Sequence, residues 1–309
     1  MHNPVMAKEV VEMLAPRKGG IYVDGTVGAG GHAKALLERM GGDGMMICID
    51  RDPHALSCAQ SVLKTWAGQC RLVQGNFADM KSLIEALGVR EVDGILLDLG
   101  MSSMQVDRAE RGFSFMKDGP LDMRMDRSQK TSAADIIEKM SEPELTRIIR
   151  QYGEEPAGRR IARAIVFERK KKGAWTTRRL AQTIESVICR RGKIHPATRT
   201  FQALRMAVND ELTALEKGLE DGIAILAAAG RMVVISYHSL EDRQVKQSFK
   251  KHIGQWVSQP EGGSRWEGIK PVVRALVKKP LAASAEEIML NPRARSAKLR
   301  CIERIDYGK

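Results

Sequence analysis

Short apolar runs and amphipathic segments alternate along the first hundred residues. Buried strands are predicted at residues 21–23, 45–49, 72–73 and 95–97 because each of these runs is apolar and too short for a helix. Residues 32–40 and 83–87 and the segment that starts at Pro53 instead carry apolar positions at helical spacing. Strands that alternate with helices in this way predict a parallel, doubly wound sheet.

This alternation stops near residue 106, and helices are predicted at 133–140, 142–151, 157–171 and 177–189 without a convincing strand. A strand pattern returns at 232–235, after a predicted helix at 211–228. The expected fold class is therefore α/β, with one sheet domain made of residues 1–105 and 213–309 and an inserted all-helical domain at 106–212. Two sequential domains are the alternative. Insertion is favoured because four strands make a thin sheet, which residues 232–235 would complete.

A glycine-rich loop, Asp24-Gly-Thr-Val-Gly-Ala-Gly-Gly31, joins the first predicted strand to the first of these helices. Its glycines allow positive φ and a close approach of the backbone to a ligand. Asp50 ends the next strand, where a carboxylate can accept both hydroxyl groups of a ribose. The combination predicts an adenosine-containing ligand. The alternative is a tight turn with Asp50 only capping a helix.

The spacing of Gly28, Gly30 and Ala33 loosely fits the dinucleotide pattern, which would place a pyrophosphate on the helix N-terminus. S-adenosylmethionine carries no phosphate and has a cationic amino-acid end. Asp24 and Asp98 suit that cation better, because two carboxylates facing a pyrophosphate would repel it.

The fourth predicted strand ends at Asp98, and Ser102, Ser103 and Gln105 follow it closely. The turn after this strand borders the ligand crevice in a doubly wound sheet. These polar groups are therefore candidates to hold both ligand and substrate, with ordinary loop polarity as the alternative.

Three further polar clusters lie at residues 111–126, 195–202 and 236–243. His238, Ser239 and Asp242 have the residue types of a hydrolase triad, but no G-x-S-x-G elbow accompanies them. Five scattered cysteines show no zinc-ligand spacing, so we expect no metal site.

Charge adds a candidate partner, since 50 Lys and Arg against 38 Asp and Glu give a net charge of +12. Such an excess attracts nucleic acid first and anionic membrane second. Four basic runs, at residues 159–160, 169–172, 178–179 and 190–191, and the basic tail 291–309 favour a phosphate-binding surface over solvated faces. No apolar run approaches the roughly 20 residues of a membrane span, and no signal peptide is visible, so a cytoplasmic protein is expected.

Long motifs across nearly the whole chain resemble the bacterial 16S rRNA cytosine-N4 methyltransferases. They are Asp24-Gly-Thr-Val-Gly-Ala-Gly-Gly-His32, Asp50-Arg-Asp-Pro53, Asp93-Gly-Ile-Leu-Leu-Asp-Leu-Gly100, Arg111-Gly-Phe-Ser-Phe115, Pro120-Leu-Asp-Met-Arg-Met-Asp126, Tyr152-Gly-Glu-Glu155, His195-Pro-Ala-Thr-Arg-Thr-Phe-Gln-Ala203, Tyr237-His-Ser-Leu-Glu-Asp-Arg243 and Asn291-Pro-Arg-Ala-Arg-Ser296. The chain departs from the resembled pattern at Tyr237, where Phe is usual, and at Glu155-Pro156, where an aromatic residue follows the acidic pair.

The resemblance implies a Rossmann-like methyltransferase sheet with a helical insertion, and S-adenosylmethionine as cofactor. The cofactor contacts that it implies are Gly30, Gly31, His32, Asp50, Phe77, Asp98 and Gln105. The implied acceptor is the exocyclic N4 of a cytosine in 16S rRNA of the small ribosomal subunit, near the decoding site. Asp98 is the residue expected nearest the chemistry, with Ser102 or Ser103 holding the base.

Two other functions share part of this pattern. A nicotinamide-dependent oxidoreductase would share the glycine loop, and a non-catalytic RNA-binding assembly factor would share the charge. The expected partner is the small-subunit rRNA rather than a membrane, and the sequence is also compatible with a homodimer.

Overall fold

The computed structural model describes residues 4–188, 195–259, 261–267 and 270–308. The chain forms two compact units, one made of Met1–Gly100 with Leu212–Lys309 and the other of Met101–Glu211. Residues 101–105 thus group with the helical unit, whereas the sequence placed them with the sheet.

The first unit is built on a mixed β-sheet. Its strands are β1 (Ile21–Asp24), β2 (Met45–Asp50), β3 (Cys70–Gln74), β4 (Val92–Asp98), β5 (Leu226–Ser236), β8 (Val273–Ala275), β9 (Leu281–Ala282) and β10 (Lys298–Arg304), and a separate hairpin contains β6 (Gln255–Ser258) and β7 (Ser264–Glu267). Its helices are α1 (Ala7–Leu14), α2 (Gly31–Met40), α3 (Pro53–Val62), α4 (Met80–Glu85), α11 (Glu211–Ile225), which begins at the unit boundary, α12 (Ser239–Ile253) and α13 (Ala285–Leu290).

The strands follow the order β3-β2-β1-β4-β5-β10-β8, with β9 also paired to β10. The first five strands are parallel, as the alternating pattern predicts, whereas β10 runs antiparallel to β5, β8 and β9. The sheet is therefore mixed α/β rather than wholly parallel. Since the carboxyl ends of β1, β2, β4 and β5 share one edge, the polar residues that follow these strands meet there.

Both faces of the sheet are buried, which explains its continuous apolar strands. Residues of one strand alternate between two hydrophobic clusters: Met46 packs with α1 and α2, while Ile47 packs with α4 and α11. Leu96 and Ile95 divide between the same two clusters in β4. Because both faces are covered, the sheet is accessible at the edge where its strands end.

The connection into β5 corrects one prediction from sequence. Residues 226–228 were expected to end a helix, but α11 stops at Ile225 and β5 starts at Leu226. Leu226 pairs with Val92 of β4, and a register shift follows before Gly94. Alanines favour a helix locally, but pairing with β4 overrides that preference.

The second unit is helical, with α5 (Ser103–Asp107), α6 (Ala133–Lys139), α7 (Glu142–Gly153), α8 (Gly158–Glu168), α9 (Thr177–Glu185) and α10 (Thr198–Asn209). Its only β-pairing among the described residues is an isolated bridge between Pro120 and Thr176. It has a hydrophobic core of its own, in which Leu145, Ile161 and Leu204 are fully buried. No helix in the described part of the chain has the length and apolar character needed to cross a membrane.

Asn209, at the end of α10, ties an irregular loop to the helical unit. Its side chain is buried, donates to the carbonyl oxygens of Met123 and Arg205, and accepts from the amide of Met125. Asn209→Ala leaves these buried backbone groups unpaired, so we expect a loss of about 2–4 kcal/mol in the free energy of unfolding. Urea unfolding measures the loss, with the exposed Lys172→Ala as control. A change no larger than that of the control would contradict this role.

Candidate functional site

The loop between β1 and α2 lies across the ends of the two neighbouring strands. The Gly25 amide donates to the carbonyl of Leu96 in β4, and the Val27 amide donates to that of Ile49 in β2. These hydrogen bonds hold residues 24–30 over the carboxyl edge of the sheet. The glycine motif recognised in sequence therefore sits where a ligand of a parallel sheet binds.

The last three glycines of the loop, Gly28, Gly30 and Gly31, have different surroundings. Gly28 has a φ of +51°, and among the described residues a Cβ there would come within 4 Å only of the Thr26 carbonyl oxygen, 3.8 Å away. Gly30 also has positive φ but packs against Ala59, and Gly31 packs against Pro4. Gly30 and Gly31 thus permit close packing of α2, while Gly28 is the position open to a ligand.

Asp24 ends β1 as a buried carboxylate with an unused oxygen. Its Oδ1 accepts from the Thr26 amide at 3.1 Å, and its Oδ2 has no hydrogen-bond partner among the described residues. Burial is the main cause that raises the pKa of Asp24 to about 7; the nearby Asp98 and Asp50 carboxylates contribute to this rise, while His32 and the hydrogen bond from the Thr26 amide oppose it. An unpaired buried carboxylate is costly unless a cation or donor reaches it.

Asp50 ends β2 and connects the two loops of the edge. Its Oδ2 accepts from the Gly28 amide at 2.9 Å, and its Oδ1 accepts from the Asp52 amide at 2.9 Å. Burial raises the pKa of Asp50 to about 6, and these amide hydrogen bonds oppose that rise. Asp52 in turn caps α3 through the His54 amide.

Asp98 ends β4 and contacts residues of three other segments. Its amide donates to Thr26 Oγ1 at 2.7 Å, and its Oδ1 accepts from the Tyr237 hydroxyl at 2.7 Å. Its Oδ2 lies 3.7 Å from Nδ1 of His32. Burial raises the pKa of Asp98, while His32 and the Tyr237 hydrogen bond lower it. Tyr237 was noted in sequence only as a departure from a pattern, and its contact with Asp98 was not foreseen.

His32 is buried on the first turn of α2, and its Nε2 lies 2.8 Å from the carbonyl oxygen of Val5. The structure thus brings Gly30, Gly31, His32, Asp50 and Asp98 to one edge of the sheet.

Phe77 follows β3 and begins a short 3₁₀ helix, with Asn76 as its cap. The Phe77 ring packs against α11, where a side chain at Gly218 would lie 2.5 Å from Phe77 Cδ2. Phe77 therefore belongs partly to the hydrophobic core, and its contact with an adenine stays a prediction.

Ser102 and Gln105 lie in the helical unit and cap α5. The Ser102 Oγ accepts from the Gln105 amide at 3.3 Å, while the Gln105 Oε1 accepts from the Ser102 amide at 3.1 Å. This reciprocal pair is a capping box. Ser103 is the first residue of α5, and its side chain lies outside the described part of the structure. The ligand and base contacts predicted for these three residues remain predictions.

Several polar motifs of the helical unit serve its own architecture. Arg111 is buried and donates to the carbonyl oxygens of Arg124 and Met125. His195 stacks on Phe115 with ring centroids 4.4 Å apart, and its Nε2 lies 2.8 Å from Glu185. These contacts within the unit explain why Arg111 and His195 occur in the motifs, and no ligand is needed to explain them.

Two of the hydrolase-like residues of the first unit have structural partners. His238 accepts from the Glu241 amide through Nδ1 and so caps α12. Asp242 pairs with Arg300 at 2.8 Å and with Lys298 at 3.2 Å, both in β10. The triad reading was disfavoured from sequence, and these contacts assign two of its members to other roles.

The basic tail was expected to bind phosphates, but three of its residues have partners within the protein. Residues Lys298–Arg304 form β10, an internal strand of the sheet. Besides the Lys298 and Arg300 pairs with Asp242, Arg304 donates to the Ile223 carbonyl oxygen at 2.9 Å. Strand pairing with β5 brings these cations to acceptors distant in the sequence.

Two arginines of the predicted basic runs also have internal roles. Arg169 donates to the carbonyl oxygens of Ile137 and Met140, and Arg179 pairs with Glu168 at 3.2 Å. Arg190 and Arg191 lie outside the described residues. The remaining basic residues of these runs are exposed: Arg159, Arg160, Lys170, Lys171, Lys172 and Arg178.

A sequence profile of the MraW methylase family matches residues 1–305. The chain belongs to the MraW methylase family. Curated relatives align with this chain along almost their whole lengths. "Ribosomal RNA small subunit methyltransferase H" of Trichlorobacter lovleyi is 50% identical over 307 residues, covering 98% of each chain. The proteins of the same name from Geobacter sulfurreducens and Methylococcus capsulatus are 50% and 48% identical, covering 98% and 97% of this chain and 99% of each relative.

Membership in the MraW methylase family gives the sheet edge a chemical context. A methylase of this fold uses S-adenosylmethionine, which is a cation at both its sulfonium and its amino group. The unpaired Oδ2 of Asp24 and the open face of Gly28 fit such a ligand, because they offer a buried anionic acceptor beside exposed backbone.

Proposed function

We propose that this protein transfers a methyl group from S-adenosylmethionine to the exocyclic N4 of a cytosine in 16S rRNA of the small ribosomal subunit, near the decoding site. The observation that carries the proposal is the buried Asp24 carboxylate, whose unpaired oxygen lies beneath the glycine loop of a MraW methylase. Relatives that match along almost the whole chain bear names specifying the small-subunit rRNA.

Each group of the cofactor has an acceptor or donor in this proposal. Asp24 and Asp98 face the cationic amino-acid end, and Asp50 accepts from the ribose hydroxyls. The N-terminal amides of α2, which no described side chain caps, face the carboxylate of the amino acid. Phe77 and Gln105 complete the contacts with the adenosine.

The bound cofactor supplies a methyl group on a positively charged sulfur. The cytosine amine attacks this methyl carbon, the carbon–sulfur bond breaks with its electron pair going to sulfur, and the amine then loses a proton. The exocyclic amine is a poor nucleophile because its lone pair is conjugated with the ring. The protein therefore contributes chiefly by holding the amine in line with the methyl group.

Asp98 is the residue we place closest to this reaction, with Ser102 or Ser103 holding the base. A carboxylate oxygen that accepts from the amine helps the nitrogen to pyramidalise. The target cytosine must leave its stack to reach the sheet edge.

Methyl transfer from labelled S-adenosylmethionine tests the proposal directly. We expect label in small subunits that lack the modification, and nucleoside analysis should find it as N4-methylcytidine. Label on a base carbon, on ribose or on protein would refute the assignment. Titration calorimetry with NAD and with S-adenosylmethionine separates the oxidoreductase alternative, and an assembly factor would transfer no methyl group.

The helical unit provides the surface that we assign to rRNA phosphates. Exposed cations lie along α8, in the segment that follows it and at the start of α9. We call this set the α8 basic surface, and it consists of Arg159, Arg160, Arg163, Lys170, Lys171, Lys172 and Arg178. Glu142 lies 3.8 Å from Arg159 and from Arg163 and offsets part of their charge. Phe167 is 64% exposed among these cations and offers a ring on which a base can stack.

Neutralising three members of the α8 basic surface should lower the affinity for rRNA and also make that affinity less dependent on salt concentration. We combine Arg160→Ala, Lys170→Ala and Lys172→Ala in one variant. The slope of log K for binding against log salt concentration is negative, and we expect its magnitude to decrease by about 2–3, since each phosphate contact contributes roughly one. Filter binding to small-subunit particles at several salt concentrations measures this slope. Lys8→Ala with Lys64→Ala removes exposed charge from the sheet unit as control. Equal slopes for both variants would exclude the surface.

A small-subunit rRNA substrate places the enzyme in the cytoplasm in this proposal. A homodimer stays a prediction, and light scattering after size-exclusion chromatography tests it.

A further inference from the structure

The Tyr237 side chain reaches the proposed methyl-transfer site from the strand beside Asp98. Tyr237 follows the last residue of β5, and β5 pairs with β4 so that Asp98 lies opposite Ile235. The Leu99 amide also donates to the Ile235 carbonyl oxygen at 3.0 Å. The positions of the two residues are thus set by strand register, which makes their contact a built feature of the sheet edge.

Further contacts hold the tyrosine in place. Its amide donates to Oε2 of Glu241 at 2.9 Å, within the first turn of α12. Its ring passes close to Gly100, where a Cβ would lie 3.5 Å from Tyr237 Cδ2. The hydroxyl donates to Oδ1 of Asp98 at 2.7 Å. Burial and the Asp98 carboxylate raise the pKa of Tyr237, so the phenol stays protonated and acts as a donor.

We propose that Tyr237 is a positioning residue, whose hydroxyl fixes the rotamer of Asp98 and favours its charged form. The hydrogen bond occupies Oδ1, so that Oδ2, which lies 3.7 Å from Nδ1 of His32, is the oxygen that we assign to a ligand. This inference rests on the proposed function, since it concerns how Asp98 meets the cofactor and the amine.

Four groups act on the charge of Asp98 from the surrounding elements. His32 of α2, when protonated, and the Tyr237 hydroxyl favour the carboxylate, whereas Glu241 of α12 and Asp24 of β1 disfavour it. Burial already raises the pKa of Asp98, and the Tyr237 hydrogen bond lowers it. Removing the hydroxyl alone leaves the other three groups in place and allows that pKa to rise further.

Tyr237→Phe tests the inference with little change in side-chain volume. We expect the acidic limb of S-adenosylmethionine binding, measured by calorimetry between pH 5 and pH 9, to move upward by about one pH unit, the size of effect that one hydrogen bond to a charged group produces. Asp24 titrates in the same range in both proteins, so the variant differs from wild type by the contribution of Asp98: it binds up to about tenfold more weakly on the acidic limb and almost equally at pH 9. The acidic limb of kcat/KM should move in the same direction.

Tyr307→Phe is the matched control, because its exposed hydroxyl donates to the Pro271 carbonyl oxygen and lies far along the chain from the site. A Tyr237→Phe profile that superimposes on wild type would overturn the inference, as would an equal loss of affinity at every pH, which indicates a merely structural residue. Wild-type protein that binds no S-adenosylmethionine would instead refute the proposed function.

Discussion

Asp24→Asn is expected to weaken S-adenosylmethionine binding at pH 8 by about 100-fold or more, while making the ligand-free protein more stable. The loss of affinity follows from removing a buried anion that faces the cationic end of the ligand, a change of roughly 3 kcal/mol. The asparagine Oδ1 can still accept from the Thr26 amide, as the aspartate does. The substitution therefore removes charge with little change in local hydrogen bonding.

The gain in stability has a definite pH dependence. Folding raises the pKa of Asp24 from 3.8 to about 7. Between these values the unfolded chain is ionised while the folded chain keeps its proton, so stability falls as pH rises through this window. The asparagine variant avoids this loss. Its advantage over wild type should be up to about 4 kcal/mol larger at pH 8 than at pH 4.

Urea unfolding at the two pH values measures this difference, and calorimetry measures the affinity. The control is Asp43→Asn, whose carboxylate is 60% exposed and should change neither quantity. Calorimetry near pH 7 in buffers of different ionisation enthalpy should also show that wild type releases protons as the cation binds. Unchanged affinity in Asp24→Asn would remove Asp24 from the cofactor site, and unchanged stability at pH 8 would show that its charge is not buried.

Asp50→Ala is expected to raise the KM for S-adenosylmethionine by about 100-fold. Hydrogen bonds to a charged acceptor are worth roughly 1.5–3 kcal/mol each, and two ribose hydroxyls lose theirs. The Gly28 amide loses its acceptor as well, so the loop is less well held. A smaller change is expected for Asp50→Asn, which keeps one acceptor oxygen.

Initial rates with small subunits at saturating RNA measure the effect, with Asp43→Ala as control. The KM effect should far exceed any change in kcat, because Asp50 meets the ribose rather than the reacting atoms. A KM within twofold of wild type would exclude the ribose contact. A large fall in kcat at unchanged KM would assign Asp50 to the reaction instead.

The carboxyl-edge site could be predicted because its signals are local. A strand, a glycine loop and a helix start each depend on a few consecutive residues, so Gly28, Asp50 and Pro53 were identifiable by their order alone. The parallel order of the first strands then brought the separate polar ends together.

The roles of three arginines could not be predicted in this way. Arg169, Arg179 and Arg300 read as phosphate-binding residues in sequence, but each meets an acceptor brought to it by tertiary packing. A basic run does not reveal which of its members will be paired, because the partner of Arg300 lies 58 residues away. The side chains of the α8 basic surface are exposed in the folded unit, and this exposure distinguishes them from the internally paired arginines.

By itself, the amino-acid sequence determined the α/β class, the helical insertion and the edge at which the carboxylates gather, since short-range periodicity specifies elements and their order. The tertiary structure decided that part of the basic tail forms strand β10 and that α11 ends where β5 begins, at Leu226. It also decided that the Tyr237 hydroxyl donates to Asp98. The physical reason is pairing over long distances: a hydrogen bond between residues 139 positions apart depends on strand register, which no local pattern contains.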